Sequence, residues 1–176
     1  MLGEIPVVDE WPGDYLGSSV ALSGDGTTAL VGAYDWSYGQ GAAYIYTLLN
    51  QNTKTSSTTE TAFLTASDGF SFGSQGGGTG PGNNVGDEFG RVVTLSSDGS
   101  TALVGAPDWT QTAPVWQSIG KTYLHSRPSK GWLTATETAG FSDHFGEAMA
   151  SSLHGNLGLV RAPGTTINGN SSQGAT

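Results

Sequence analysis

The chain has 176 residues, 28 of them Gly, with no Cys and 12% charged residues. That length is one domain, and the composition favours short strands and tight turns over long helices. Six basic and fifteen acidic residues leave a net charge of −9, which excludes the clustered Lys and Arg of a nucleic-acid surface, and the lack of Cys excludes disulfides and thiolate metal sites.

Residues 1–17 lack the basic and apolar regions of a signal peptide, and no apolar run approaches the roughly 20 residues of a membrane-spanning helix. The first predicted strand is Ser18–Leu22. Ser23-Gly24-Asp25-Gly26 is turn chemistry and joins it as a hairpin to the second, Thr28–Gly32. Ala29-Leu30-Val31-Gly32-Ala33 is continuously apolar, as in a strand buried on both faces. A third strand, Ala42–Leu48, holds Tyr44-Ile45-Tyr46, whose alternation suits an outer, half-buried strand. The fourth is Thr61–Ala66.

The pattern then repeats. Predicted strands Arg91–Leu95, Thr101–Gly105, Lys121–Ser126 and Gly131–Ala135 follow the same order. Asp25-Gly-Thr-Thr-Ala-Leu-Val-Gly-Ala33 differs from Asp98-Gly-Ser-Thr-Ala-Leu-Val-Gly-Ala106 only at Thr27 and Ser100. His154-Gly-Asn-Leu-Gly-Leu-Val-Arg-Ala162 is a weaker third copy. Upstream lie Asp14-Tyr-Leu-Gly17, Asp87-Glu-Phe-Gly90 and Asp143-His-Phe-Gly146, each starting eleven positions before its partner motif. Gly41-Ala-Ala-Tyr-Ile-Tyr46 matches Gly120-Lys-Thr-Tyr-Leu-His125, and Phe63-Leu-Thr-Ala-Ser67 matches Trp132-Leu-Thr-Ala-Thr136. The small residues Gly32, Ala33, Gly105 and Ala106 would let backbones approach closely. Extra length sits in Asn50–Glu60 and Gln75–Asn84, which read as exposed loops. A repeated four-stranded antiparallel unit is the β-propeller blade pattern. The expected fold is all-β, a single repeat domain over 1–176 with about 2.5 blades. Blade 1 spans about 14–68, an insertion about 69–86, blade 2 about 87–137 and a truncated blade 3 about 143–176.

These motifs resemble FG-GAP repeats, the propeller units of integrin α-subunit heads and of many secreted and surface proteins. Phe89-Gly90 with Gly105-Ala106-Pro107 carries both name-giving motifs; Leu16-Gly17 with Gly32-Ala33-Tyr34, and Phe145-Gly146 with Arg161-Ala162-Pro163, are degraded versions. The resemblance implies a non-enzymatic binding or scaffold module, an extracellular or cell-surface location, and protein or carbohydrate partners. Some family repeats hold calcium ahead of the Asp-Gly turn. Calcium takes six to eight oxygens, whereas the turns here supply only Asp25, Asp98 or, in copy three, His154. Asp25 and Asp98 are weak calcium candidates, and no cofactor is expected. A closed propeller needs about four to eight blades, so a homo-oligomer completing the ring is one expectation, beside a fragment or a different small β-fold.

Trp36 and Trp109 each follow an Asp in the loop after the second strand: Tyr34-Asp35-Trp36 and Pro107-Asp108-Trp109. Asp35, Trp36, Asp108 and Trp109 are the ligand-binding candidates, able to stack a sugar ring or anchor a peptide. Packing between blades is the competing role for both Trp. Trp132, aligned with Phe63, reads as core. A serine hydrolase is the enzymatic alternative, because Gly69-Phe70-Ser71-Phe72-Gly73 matches Gly-x-Ser-x-Gly. The Gly-rich sequence that follows does not favour the helix such an elbow needs. His125, His144 or His154 would be its base, and Asp68, Asp108 or Asp143 its orienter. Those His occupy repeat positions, so surface His is the competing reading, with His125 exposed or half-buried. The neighbours Asp87 and Glu88, or Asp9 and Glu10, point to opposite faces of extended backbone and do not converge on one bond. The recurring Asp14, Asp87 and Asp143 read as fold residues that accept backbone N–H bonds.

Overall fold

A computed structural model describes residues 13–49, 57–66, 68, 86–111, 117–127, 133–138, 143–154 and 157–176. The first sheet is β1 (Leu16–Leu22), β2 (Thr28–Ala33), β3 (Ala42–Leu49) and β4 (Ser57–Leu64), antiparallel in that order. The second contains β5 (Val92–Leu95), β6 (Thr101–Ala106), β9 (Lys121–Ser126) and β10 (Leu133–Thr138) in the same spatial succession. A small hairpin, β7 (Thr110–Gln111) with β8 (Gln117–Ser118), interrupts it. The third copy contributes the pair β11 (Ala148–Ser151) and β12 (Gly158–Arg161). The chain is therefore nearly all-β, built of blade-type antiparallel sheets.

Equivalent residues hold equivalent places. Val20 pairs with Val31, Val93 with Val104 and Met149 with Val160. Ala33 faces Ala42, Ala106 faces Lys121, and Ala162 faces Ala175. Gly174-Ala175 thus takes the register of a third strand. The turns confirm the hairpin reading. Asp25 accepts from the Ser23 hydroxyl and from the Thr27 amide and hydroxyl, and Asp98 does the same with Ser96 and Ser100. These bonds hold the Asp25 carboxyl below its ordinary pKa and bring that of Asp98 down to about 2.

Successive sheets stack face to face. Leu30, Ile45 and Leu64 of the first meet Phe89, Val93, Leu95 and Val104 of the second in one core. The joint is made by backbone. Phe89 bridges Gly41 in parallel, and Phe145 bridges Gly120. The Gly90 carbonyl lies where a Cβ on Gly32 would go, and the Gly146 carbonyl occupies the same place over Gly105. The Asp-x-Phe-Gly turn of one repeat therefore seats on the Gly-Ala of the repeat before it. In all three copies the x residue (Tyr15, Glu88, His144) and the final Gly (Gly17, Gly90, Gly146) have positive φ, the left-handed region where Gly carries no steric cost. The turns between first and second strands also touch along the stack, Gly24 N–H donating to the Ser97 carbonyl and Asp98 N–H to that of Leu153.

Three expectations need correction, and one element was unforeseen. Tyr44, Ile45 and Tyr46 are fully buried, because β3 is an interior strand, paired on both sides by β2 and β4 and covered on both faces. For the same reason His125, facing Ala102 as Tyr46 faces Ala29, is only 2% exposed. Part of Asn50–Glu60 is strand, since β4 begins at Ser57. The hairpin β7–β8 has no counterpart in copy one and was not expected. Trp132, Asp9, Glu10 and the Gln75–Asn84 insertion lie outside the described residues.

Candidate functional site

The Asp-Trp loops leave the ends of β2 and β6 and lie beside the next repeat's Asp-x-Phe-Gly turn. The first runs through a four-residue helical turn, Trp36–Gly39, in which Ser37 and Tyr38 are left-handed. Its end accepts the following turn: Glu88 N–H donates to the Gly39 carbonyl at 2.9 Å and Phe89 N–H to that of Gln40 at 3.2 Å. This docking brings the acidic residues within reach of one another's charge. Burial raises the Asp35 pKa, and the Asp14 charge adds to that. Glu88, itself buried, is raised by burial and then by Asp108, although Arg91 binds its carboxylate at 2.7 Å. Asp35 also acts on Glu88, so Glu88 feels both loops at once. His144 Nδ1 lies 3.4 Å from Asp108. Charge thus couples Glu88 to Asp35 and Asp108 of the two loops, and His144 lies against Asp108.

Both Trp rings are engaged in packing. Trp36 stands edge-on to Phe63, with centroids 5.1 Å apart, and packs on the Val31–Tyr44 face of the first sheet. Trp109 packs against the core between the sheets, and the Lys121 ammonium lies 4.1 Å from its ring centroid, within cation–π range. Arg91 sits over Tyr34, which stacks on Tyr15.

Sequence reasoning missed one polar cluster, in which an exposed carboxylate caps two buried side chains. Lys121 is almost fully buried, and its ammonium donates to Asp68 Oδ2. The Tyr123 hydroxyl donates to Asp68 Oδ1 at 2.7 Å. Burial pushes the Asp68 carboxyl up, but the bonds from Lys121 and Tyr123 outweigh it and hold the pKa below its ordinary value. The same burial, with the Asp68 bond, pushes the Tyr123 phenol far up. Asp68 follows β4 and Lys121 opens β9, so the cluster ties the first sheet to the second. The signal was present: Lys121 stands where copy one has Ala42, a cation in a strand otherwise apolar or small.

Of the hydrolase alternative, the described residues bring one candidate base, His144, to 3.4 Å from one candidate orienter, Asp108. Ser71 lies outside the described residues. His125 is buried beside the Phe89 ring, with centroids 6.1 Å apart, and His144 lies against Asp108. Asp143 uses its backbone carbonyl to accept the Gly164 N–H. Among the described residues, no three His, Asp or Glu side chains are grouped to hold a metal ion, and no helix is long and apolar enough to cross a membrane.

His125 gives a testable pH dependence. Burial lowers its pKa to about 4, while the unfolded chain binds the proton near the usual 6.5. Between these values the unfolded state holds more protons, so stability falls as pH drops. Urea midpoints should be flat above about pH 6.5 and decline toward about pH 4, with a limiting loss on the order of 3 kcal/mol. His125→Phe should flatten that window; an unchanged slope in the variant would assign it to other groups.

These features define a repeat protein of stacked four-stranded antiparallel sheets, joined where the turn of one unit seats on the glycine of the last. More particularly, residues 7–46 match the family model of the FG-GAP repeat, so the chain carries an FG-GAP repeat there. No curated protein matches the chain.

Proposed function

We infer that the chain is a non-enzymatic binding or scaffold module of an FG-GAP-type propeller. It works outside the cell or at its surface and contacts protein or carbohydrate through the loops at Asp35-Trp36 and Asp108-Trp109. The observation that carries this reading is the coupling of two successive loops by charge to the intervening Glu88. Carboxylates beside half-buried aromatic rings suit a basic peptide segment or a hydroxyl-rich sugar. Because both Trp also hold the fold, the informative variants are Asp35→Asn and Asp108→Asn.

The test is binding of the immobilised chain to a basic-peptide array and an oligosaccharide array. The expected result is a binder on one of them whose affinity drops about tenfold or more in the double Asn variant, as loss of close charge pairs does. No binder on either array, or binding unchanged in the variant, would count against it. The hydrolase reading has its own arm: fluorophosphonate labelling that disappears in Ser71→Ala would replace the module with an enzyme.

A further inference from the structure

The loop that follows β12 carries a hairpin of its own, and the tip of that hairpin is the chain's one Asn-Gly pair, Asn168-Gly169. Ile167 N–H donates to the Asn170 carbonyl at 3.1 Å, and Asn170 N–H to that of Ile167 at 3.0 Å. Asn168 has φ 51 and Gly169 φ 82, the two left-handed residues of a type I′ turn. The base of the loop is tied separately, by the Ala162–Ala175 pair and by Gln173 and Gly174 N–H donating to the Thr165 carbonyl. Both tip residues are exposed, and nothing beyond its chain neighbours lies within 4 Å of where a Gly169 Cβ would stand. The Gly169 N–H takes no part in the bonds that close the turn.

Such a pair carries latent chemistry. Gly has no side chain to shield its backbone nitrogen, and that nitrogen can close a five-membered ring on the Asn side-chain carbon without leaving the chain. Left-handed backbone at Asn168 turns the Gly169 nitrogen away from that carbon, so the closed turn blocks the attack. We propose that Asn168 is a site of spontaneous deamidation whose rate is set by the opening of this turn. When the turn opens, the Gly169 nitrogen bonds to Asn168 Cγ. The side-chain amide leaves as ammonia, taking up the proton of the Gly169 N–H, and a succinimide remains. Water then adds at either ring carbonyl and opens the ring to Asp or isoaspartate. Opening of the tip alone suffices, because the base of the loop is held by its own bonds. The product puts a carboxylate into a loop that has none: Asp35 and Asp108 stand two residues after Ala33 and Ala106, where copy three has Gly164. Isoaspartate also routes the main chain through the side-chain carbon, so the type I′ turn does not re-form. The reaction uses neither Asp-Trp loop and stands independently of the binding reading.

The test is incubation of the 176-residue chain at mildly alkaline pH, folded and in urea, followed by intact mass and peptide mapping with isoaspartate detection. The expected result is the mass gain of an amide becoming an acid, mapped to Asn168 as both Asp and isoaspartate. The folded chain should react about tenfold or more slowly than the unfolded one, as a turn open about a tenth of the time or less would. Ile167→Pro removes one of the two closing bonds. It should bring the folded rate close to the rate in urea, with far-UV circular dichroism unchanged. Asn170→Pro removes the other bond and serves if the first variant does not fold. Asn168→Gln, whose longer side chain must close a less favourable six-membered ring, should abolish the gain. A folded chain that gains no mass at Asn168 overturns the proposal, as does one that reacts there as fast as the unfolded chain.

Discussion

Gly41→Ala is expected to cost about 4 kcal/mol or more, a large share of the roughly 5–15 kcal/mol that holds a domain together. Two separate terms add at that position. Gly41 has φ +81, and an Ala held in left-handed backbone loses roughly 1–2 kcal/mol. Its new Cβ would also fall well within 3.0 Å of the Phe89 backbone, which is paired to Gly41 and cannot swing aside. Overpacking of that kind costs about 1–3 kcal/mol where side chains can adjust, and more where the obstacle is main chain. Two companions separate the terms. Gly169 has φ +82 with nothing within 4 Å, so Gly169→Ala reports the backbone term alone, about 1 kcal/mol. Gly32, without a positive φ, meets only the Gly90 carbonyl, so Gly32→Ala reports the steric term, about 3 kcal/mol. Urea unfolding midpoints give all three. If Gly32→Ala costs no more than Gly169→Ala, the seating of the turn on the glycine is wrong.

Phe89→Ala is the second large effect, at about 3–5 kcal/mol by loss of a buried ring and the cavity it leaves. Phe89 is wholly buried, packs edge-on to Tyr123 at 5.0 Å between centroids, and sits between the first and second sheets. Its counterpart Phe145 is only half-buried, so Phe145→Ala should cost about half as much by the same scaling of loss with burial. Thermal or urea denaturation of the two variants decides the ratio. Equal losses would mean that the second joint is packed as tightly as the first.

Much of this architecture was legible in the letters because the motif residues meet backbone constraints. The Gly of Asp-x-Phe-Gly needs positive φ, and the Gly before Ala33 and Ala106 must admit a carbonyl. Those demands do not drift with surface chemistry, so three copies stay aligned even where Phe has become Leu16 or Gly has become Arg161. What failed was the inference of burial from one strand's alternation. Tyr44-Ile45-Tyr46 reads as half-exposed in isolation, but the order of strands places β3 inside the sheet, and that order is not written in the strand itself. Of the Lys121–Asp68–Tyr123 cluster, only Lys121 stood out in the letters, against Ala42 of copy one. Asp68 lies outside every repeated motif, and its partners come from the next sheet, so no local pattern links them. The Asp-Trp loops were found by repetition, but repetition could not tell that both rings would be taken up by Phe63 and Lys121.

The seating of each turn on the preceding glycine also imposes a direction on biosynthesis. A ribosome delivers the receiving edge of a unit first and the turn that completes it only after the following unit begins to emerge. Each sheet of the growing chain thus waits, partly open, for its successor, and coupling between units is limited to nearest neighbours. A fault in one turn would leave the face of the sheet made before it uncovered and unseat the one made after.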